Sequence, residues 1–188
     1  MFLKGKIITF IIPVFPWSRE DRNQVWEEII KLREWGAEVF PLLFIMEEDY
    51  SPLVREIKKG IKGLVVGKGE GLSSSFFYQG DLLLIAPCPG PLLREMARGN
   101  FSQNLPLILA PHSYGKESKE ALASLRSLFK RDLTYFVPFQ PLGKKDKEGK
   151  ACPFFRSRLD LIGETTGRAA REGQVQPVVL ELETLPGE

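Results

Sequence analysis

One histidine and two cysteines in a chain of 188 residues leave little with which to hold a transition metal or build a histidine-rich site. Cys88 and Cys152 lie far apart and form no closely spaced ligand series, so both read as reduced thiols, which fits a cytoplasm. An excess of one charge is also missing. The 26 Lys and Arg against 24 Asp and Glu leave a net charge of +2, too small to argue for nucleic acid or a membrane surface as partner. The basic residues are dispersed, apart from the stretch 144–150, where Asp146 and Glu148 interrupt the lysines and a solvated loop is expected. No apolar run approaches the roughly 20 residues of a membrane span. Lys4 and Lys6 ahead of Ile7–Val14 imitate the opening of a signal peptide. Pro13 and Pro16 break that run, however, and the charged segment 19–33 follows with no small-residue cleavage site. A buried strand is expected there instead.

What is present fits one α/β domain over residues 1–188, with apolar residues making up 43% of the chain. Ile7–Val14 is apolar almost throughout and rich in β-branched residues, as a strand buried on both faces is. Ser18 is a good N-cap, with Asp21 three residues on in an imperfect capping box. Val25, Trp26, Ile29, Ile30 and Leu32 form one broad helical stripe, which Gly36 ends. Ala37–Met46 returns as a strand, with Pro41 suggesting an irregular start or an edge. A short helix over Pro52–Lys59 and a strand over Ile61–Val66 precede a Gly- and Ser-rich loop, 67–80. Strands follow at Asp81–Pro87, Leu105–Ala110 and Leu133–Val137. Helices follow at Leu92–Arg98 and over Lys116–Lys130, the latter with Ala121, Leu122, Leu125, Leu128 and Phe129 facing inward. Cys152–Glu172 has a helical pattern weakened by Gly163 and Gly167, and Pro177–Leu182 is extended. Strands alternating with helices predict a three-layer α/β/α, Rossmann-like domain with a mostly parallel sheet. There is no internal repeat, no heptad pattern and no linker.

In such sheets ligands bind beyond the carboxyl ends of the strands. That rule selects Phe15–Ser18, Pro87–Pro91, Pro111–Tyr114 and Phe139–Lys145. The first is the natural phosphate cradle, but it contains no glycine. Pro16 supplies no N–H, and Phe15 and Trp17 are bulky. Ser18 reads first as a helix cap and second as a hydroxyl for an anion, with Arg19 or Arg22 adding charge. His112, at a strand end, reads as a loop residue or a site residue. No Ser–His–Asp order or carboxylate pair is evident, and no metal site is expected. Gly67-Lys68-Gly69-Glu70-Gly71 lacks the Lys-Ser/Thr ending of a phosphate-binding P-loop and reads as a turn.

The segment from Asp132 to Glu181 contains Tyr135-Phe136-Val137-Pro138-Phe139, Lys144-Lys145, Arg158-Leu159-Asp160-Leu161-Ile162 and Gln176-Pro177-Val178-Val179. It resembles the C-terminal part of the B-type, flavoprotein-like component of dipicolinate synthase. Ala86-Pro87-Cys88-Pro89-Gly90-Pro91, followed by Leu92–Ala97, is similar to the flavin-wrapping loop and helix of the wider family of phosphopantothenoylcysteine decarboxylases. Pro87, Gly90 and Ala97 match, and Ser113 stands where that family has Thr. The resemblance implies a flavoprotein-like fold and FMN contacts at Ser18, Pro87, Gly90, His112 and Ser113. It also implies a role in forming dipicolinate from a hydroxylated tetrahydrodipicolinate during sporulation. NADP would enter only through a partner resembling the A-type component of dipicolinate synthase. Homo-oligomerisation is expected as well, with residues 176–188 as a C-terminal arm.

Pro91 and Leu92 stand where the decarboxylases have a polar pair, and the first loop lacks glycine. FMN binding is therefore expected to be weak or lost. A non-catalytic binding or scaffold paralogue is the alternative. An independent flavin-dependent decarboxylase is the weakest reading, because that branch uses a histidine earlier in the fold and none lies there.

Overall fold

The computed structural model describes residues 3–14, 17–45, 54–55, 64–66, 80–99, 105–113, 119–145 and 151–172. Its first strand, β1 (Ile7–Val14), is buried from Ile8 onward. The chain then turns into α1 (Arg19–Glu34), capped by Ser18, whose hydroxyl accepts from the Asp21 N–H at 3.0 Å. Glu20 and Asp21 in the first turn and Lys31 and Arg33 in the last complement the helix dipole. Gly36 follows the Trp35 C-cap at φ +94°, and a Cβ there would come within 3.1 Å of the Lys4 backbone. Glycine is needed at this corner for both reasons.

The remaining elements are β2 (Glu38–Ile45), β3 (Leu64–Val66), β4 (Leu82–Cys88), α2 (Gly90–Arg98), β5 (Leu107–Pro111), α3 (Lys119–Phe129), β6 (Thr134–Phe136), β7 (Phe139–Lys145), β8 (Ala151–Ser157), a 3-10 turn at Leu159–Leu161, and α4 (Ile162–Glu172). The main sheet has six strands in the order β3-β2-β1-β4-β5-β6, every neighbouring pair parallel. β4 and β5 are buried at every residue, as central strands covered on both faces must be.

One core layer packs Ile8, Phe10 and Ile12 against Val25, Ile29 and Leu32 of α1 and Ile162 and Ala169 of α4. The other packs Ile11, Leu83 and Ile85 against Leu92, Leu93 and Met96 of α2 and Leu125 and Leu128 of α3. The architecture is thus the expected three-layer α/β/α. No helix among the described residues is long and apolar enough to cross a membrane.

Several expectations are corrected. Ile30 is 54% exposed, and Glu28 is buried in its stead at 5% exposure. The edge character expected from Pro41 is confined to the start of β2: β1 pairs with β2 along its whole length, while among the described residues β3 joins only at Leu42–Phe44, which leaves Pro41 open on that side. β4 runs on past Pro87 to Cys88, with a register shift against β5 after Ile85.

The largest correction concerns residues 139–157. The expected ligand loop at Phe139–Lys145 is β7, and the start of the expected helix at Cys152 is β8. The two form a separate antiparallel ribbon, Phe139 opposite Ser157 and Lys145 opposite Ala151. Cross-strand pairing and burial of Phe139 and Phe155 in the α2/α3 core override the local helical pattern. Among the described residues each strand of the ribbon pairs on one side only, which accommodates Pro141 and Pro153. The proposed helix at 52–59, apart from Val54 and Arg55, the loop 67–79, residues 146–150 and the arm 176–188 lie outside the described residues.

Candidate functional site at the carboxyl edge of the sheet

The strand order reverses between β1 and β4: from β1 the chain builds outward first through β2 and β3, then through β4, β5 and β6. A crevice at such a switch point is where ligands bind in this architecture. Because β1, β4, β5 and β6 are parallel, the loops following them all emerge at that one edge.

α1 starts there, and its first turn carries Asp21. His112 follows directly after β5. The Nε2 of His112 lies 3.6 Å from Oδ2 of Asp21, beyond hydrogen-bond length, and the two side chains are 6% and 13% exposed. The pair spans from the helix after β1 to the end of β5, and β4 lies between those two strands in the sheet. The His112 N–H donates to the Cys88 carbonyl at 3.1 Å, tying the end of β5 to the end of β4. Cys88 is a buried free thiol. An imidazole beside a carboxylate is oriented by it and can take up or deliver a proton.

Of the residues expected at the site, Ser18 lies at this edge, but its oxygens accept from helix amides: Oγ from Asp21 N–H, and the carbonyl from Arg22 N–H at 3.1 Å. Pro87 and Gly90 are buried at the end of β4 and the start of α2. His112 is brought to Asp21. Ser113 is drawn away to the ribbon: its N–H donates to the Phe155 carbonyl and its Oγ accepts from the Phe155 N–H, both at 2.7 Å. Ser157 Oγ donates to the Pro111 carbonyl at 2.6 Å, so three bonds fasten β8 to the end of β5. Leu92, which aligns with a polar family position, packs in the core at 1% exposure.

Asp21 was missed as a site residue. Its only sequence signal was the three-residue spacing from Ser18, and its partner stands far along the chain. Among the described residues no group of three or more His, Cys, Asp or Glu is placed to hold a metal ion.

A second buried charge lies deeper. Glu28 of α1 accepts through Oε2 from the Gly163 N–H at the start of α4, and its Oε1 lies 3.1 Å from Lys31 Nζ. Burial pushes its carboxyl above the ordinary 4.5, only partly offset by the Gly163 amide and Lys31. Near the surface, Arg158 forks onto Asp160 with bonds of 2.9 and 2.7 Å, and that bond holds the Asp160 carboxyl below its usual range.

No protein-family model and no curated protein matches this chain. Solved structures do match. The B-type component of dipicolinate synthase from Bacillus halodurans C superposes with a TM-score of 0.62 at 19% identity, covering 94% of this chain and 96% of that one. The fold is the flavoprotein-like one. The cypemycin decarboxylase CypD superposes at 0.59 with 13% identity, over 92% of this chain and 98% of that one. The FMN-dependent cysteine decarboxylase SpaF superposes at 0.54 with 11% identity, over 90% and 99%. At these identities the likeness establishes the shared flavoprotein-like, Rossmann-type architecture.

Proposed function

We propose that this chain is a divergent flavoprotein-fold component of the dipicolinate synthase B type. It assembles as a homo-oligomer in the cytoplasm and works with an NADP-binding partner of the dipicolinate synthase A type. Together they form dipicolinate from a hydroxylated tetrahydrodipicolinate. The observation that carries this reading is the end-to-end superposition on the B-type component of dipicolinate synthase, 94% of this chain on 96% of that one. The sequence resemblance from Asp132 onward points to the same family. Reconstitution tests it: mixing the chain with an A-type component and NADP should raise dipicolinate formation above that of the A-type component by itself and give a co-eluting complex. No complex and no rise in product would refute it.

A second reading, a paralogue with the same fold that binds FMN weakly or not at all, is favoured by the chemistry at the carboxyl edge. A phosphate at the start of α1 needs free N–H groups and no negative neighbours. Here Ser18 accepts from the Asp21 and Arg22 amides, and the carboxylates of Glu20 and Asp21 stand in that first turn. Pro16 has no N–H. Ser113 Oγ already accepts a bond from Phe155. These residues do not fit a phosphate. Losing two hydrogen bonds at roughly 1–3 kcal/mol each weakens binding by about thirtyfold or more. On the first reading His112, with Asp21 beside it at 3.6 Å, is the proton-handling group of this edge.

A further inference from the structure

All the exposed residues of α1 fall on one face of that helix. Ile30 is 54% exposed, one of two large apolar side chains left open among the described residues. At ~3.6 residues per turn, Ile30 and Asn23, seven apart, stand on one line along the middle of this face. Arg19, Trp26 and Arg33 run along one flank with the same spacing, and Glu20, Glu27 and Glu34 run along the other. Trp26 is partly buried against the core, and the charged residues of both flanks are exposed. The face is therefore apolar at one central point, basic and aromatic on one side, and acidic on the other.

That pattern complements itself in one orientation only. A two-fold contact sets the same patch of two copies together, with the helices either parallel or antiparallel. In a parallel pair the basic flank of each copy lies against the acidic flank of the other. Arg19 then stands beside the partner's Glu20 and Arg33 beside the partner's Glu34, each pair occurring twice. An antiparallel pair sets like flanks together, with Arg19 near the partner's Arg33 and Glu20 near the partner's Glu34. The charges select the parallel pair. In it Ile30 meets its own copy on the axis, and so does Asn23. A β-branched side chain at one such position and Asn at another suit two parallel helices, the Asn fixing register. The drift of about 20° that a straight helix shows over seven residues is taken up by a shallow crossing angle.

We propose that this face of α1 is the docking surface for a second copy of the chain, paired parallel about Asn23 and Ile30. The inference rests on the homo-oligomeric part of the proposed function and names its interface. Asp21 is about 160° around the helix from Asn23, so it stays outside the contact, and the two carboxyl edges face the same way. With one apolar residue per copy at its centre and charges around it, the contact is of the weak class, with a dissociation constant on the order of micromolar.

Sedimentation equilibrium of the purified chain, over an about hundredfold range of concentration, tests it. The unmodified chain should dimerise reversibly. Ile30→Asp, at an exposed position, should keep the fold and weaken the dimer by about a hundredfold. Glu34→Arg should weaken it by about tenfold, by setting Arg33 against a second cation. Adding Arg33→Glu to that variant should restore it, because the exchanged charges again attract across the axis. A Glu34→Arg change that left association unaltered would overturn the proposal. One that strengthened it would also do so, since that is the sign of the antiparallel pair. Association unaffected by Ile30→Asp would overturn this interface and leave the homo-oligomeric reading standing. A strict monomer at the highest concentration would overturn both.

Discussion

Replacing Gly163 by Ala should destabilise this protein, against the expectation from helix propensity. Gly163 lies in the first turn of α4, where Ala is favoured over Gly by at most roughly 1 kcal/mol. A Cβ at this position would meet Glu28 Oε2 at 2.8 Å and the Lys31 side chain at 3.4 Å. The carboxylate would have to withdraw from the Gly163 N–H it accepts from, and Glu28 is 5% exposed with little room to move. A hydrogen bond to a charged group contributes about 1.5–3 kcal/mol. The net loss is therefore about 0.5–2 kcal/mol, after subtracting the propensity gain. Urea denaturation measures it, and each kcal/mol should also lower Tm by roughly 2–4 °C for a chain of this size. The same change in a Glu28→Ala background should be neutral or stabilising, because no carboxylate remains to be displaced. Stabilisation by Gly163→Ala in the otherwise unchanged protein would refute the interlock between α1 and α4.

Glu28 also sets a pH dependence. Its folded value is raised, so between 4.5 and that value the folded state binds more protons than the unfolded one, and stability falls as pH rises through the window. The stability difference between the parent chain and Glu28→Gln, followed by denaturation from acid to neutral pH, should shrink in that direction; a difference that grows would contradict the burial argument. The Tyr135 hydroxyl is buried with no hydrogen-bond partner among the described residues. Tyr135→Phe should leave stability unchanged or raise it by about 1 kcal/mol, and a loss of that size would mean the hydroxyl is satisfied.

Much of the fold was legible because its signals are local. β1, β4 and β5 announce themselves as continuous apolar runs, and Ser18 and Gly36 mark the ends of α1 by capping chemistry that needs no tertiary partner. The β7–β8 ribbon was not legible. Its strands contain Pro141, Gly143 and Pro153, poor strand formers, and they are held by each other and by the end of β5. Gly163 looked like a flaw in a helix; it is the contact point for a carboxylate from α1. The same limit applies to the site. The sheet-edge rule located the loops, and His112 does stand at a strand end on that edge. Asp21 looked like half of a capping box because its partner is supplied only by tertiary structure, and Ser113 looked like a ligand group because nothing local shows that Phe155 claims it.

The second reading rests on the first turn of α1, where the carboxylates of Glu20 and Asp21 would oppose an FMN phosphate. Isothermal titration of the purified chain with FMN tests that most directly. The expected result is no sub-micromolar binding, and stronger binding in Asp21→Asn, which removes the carboxylate from the cradle. A sub-micromolar dissociation constant for the unmodified chain would contradict it.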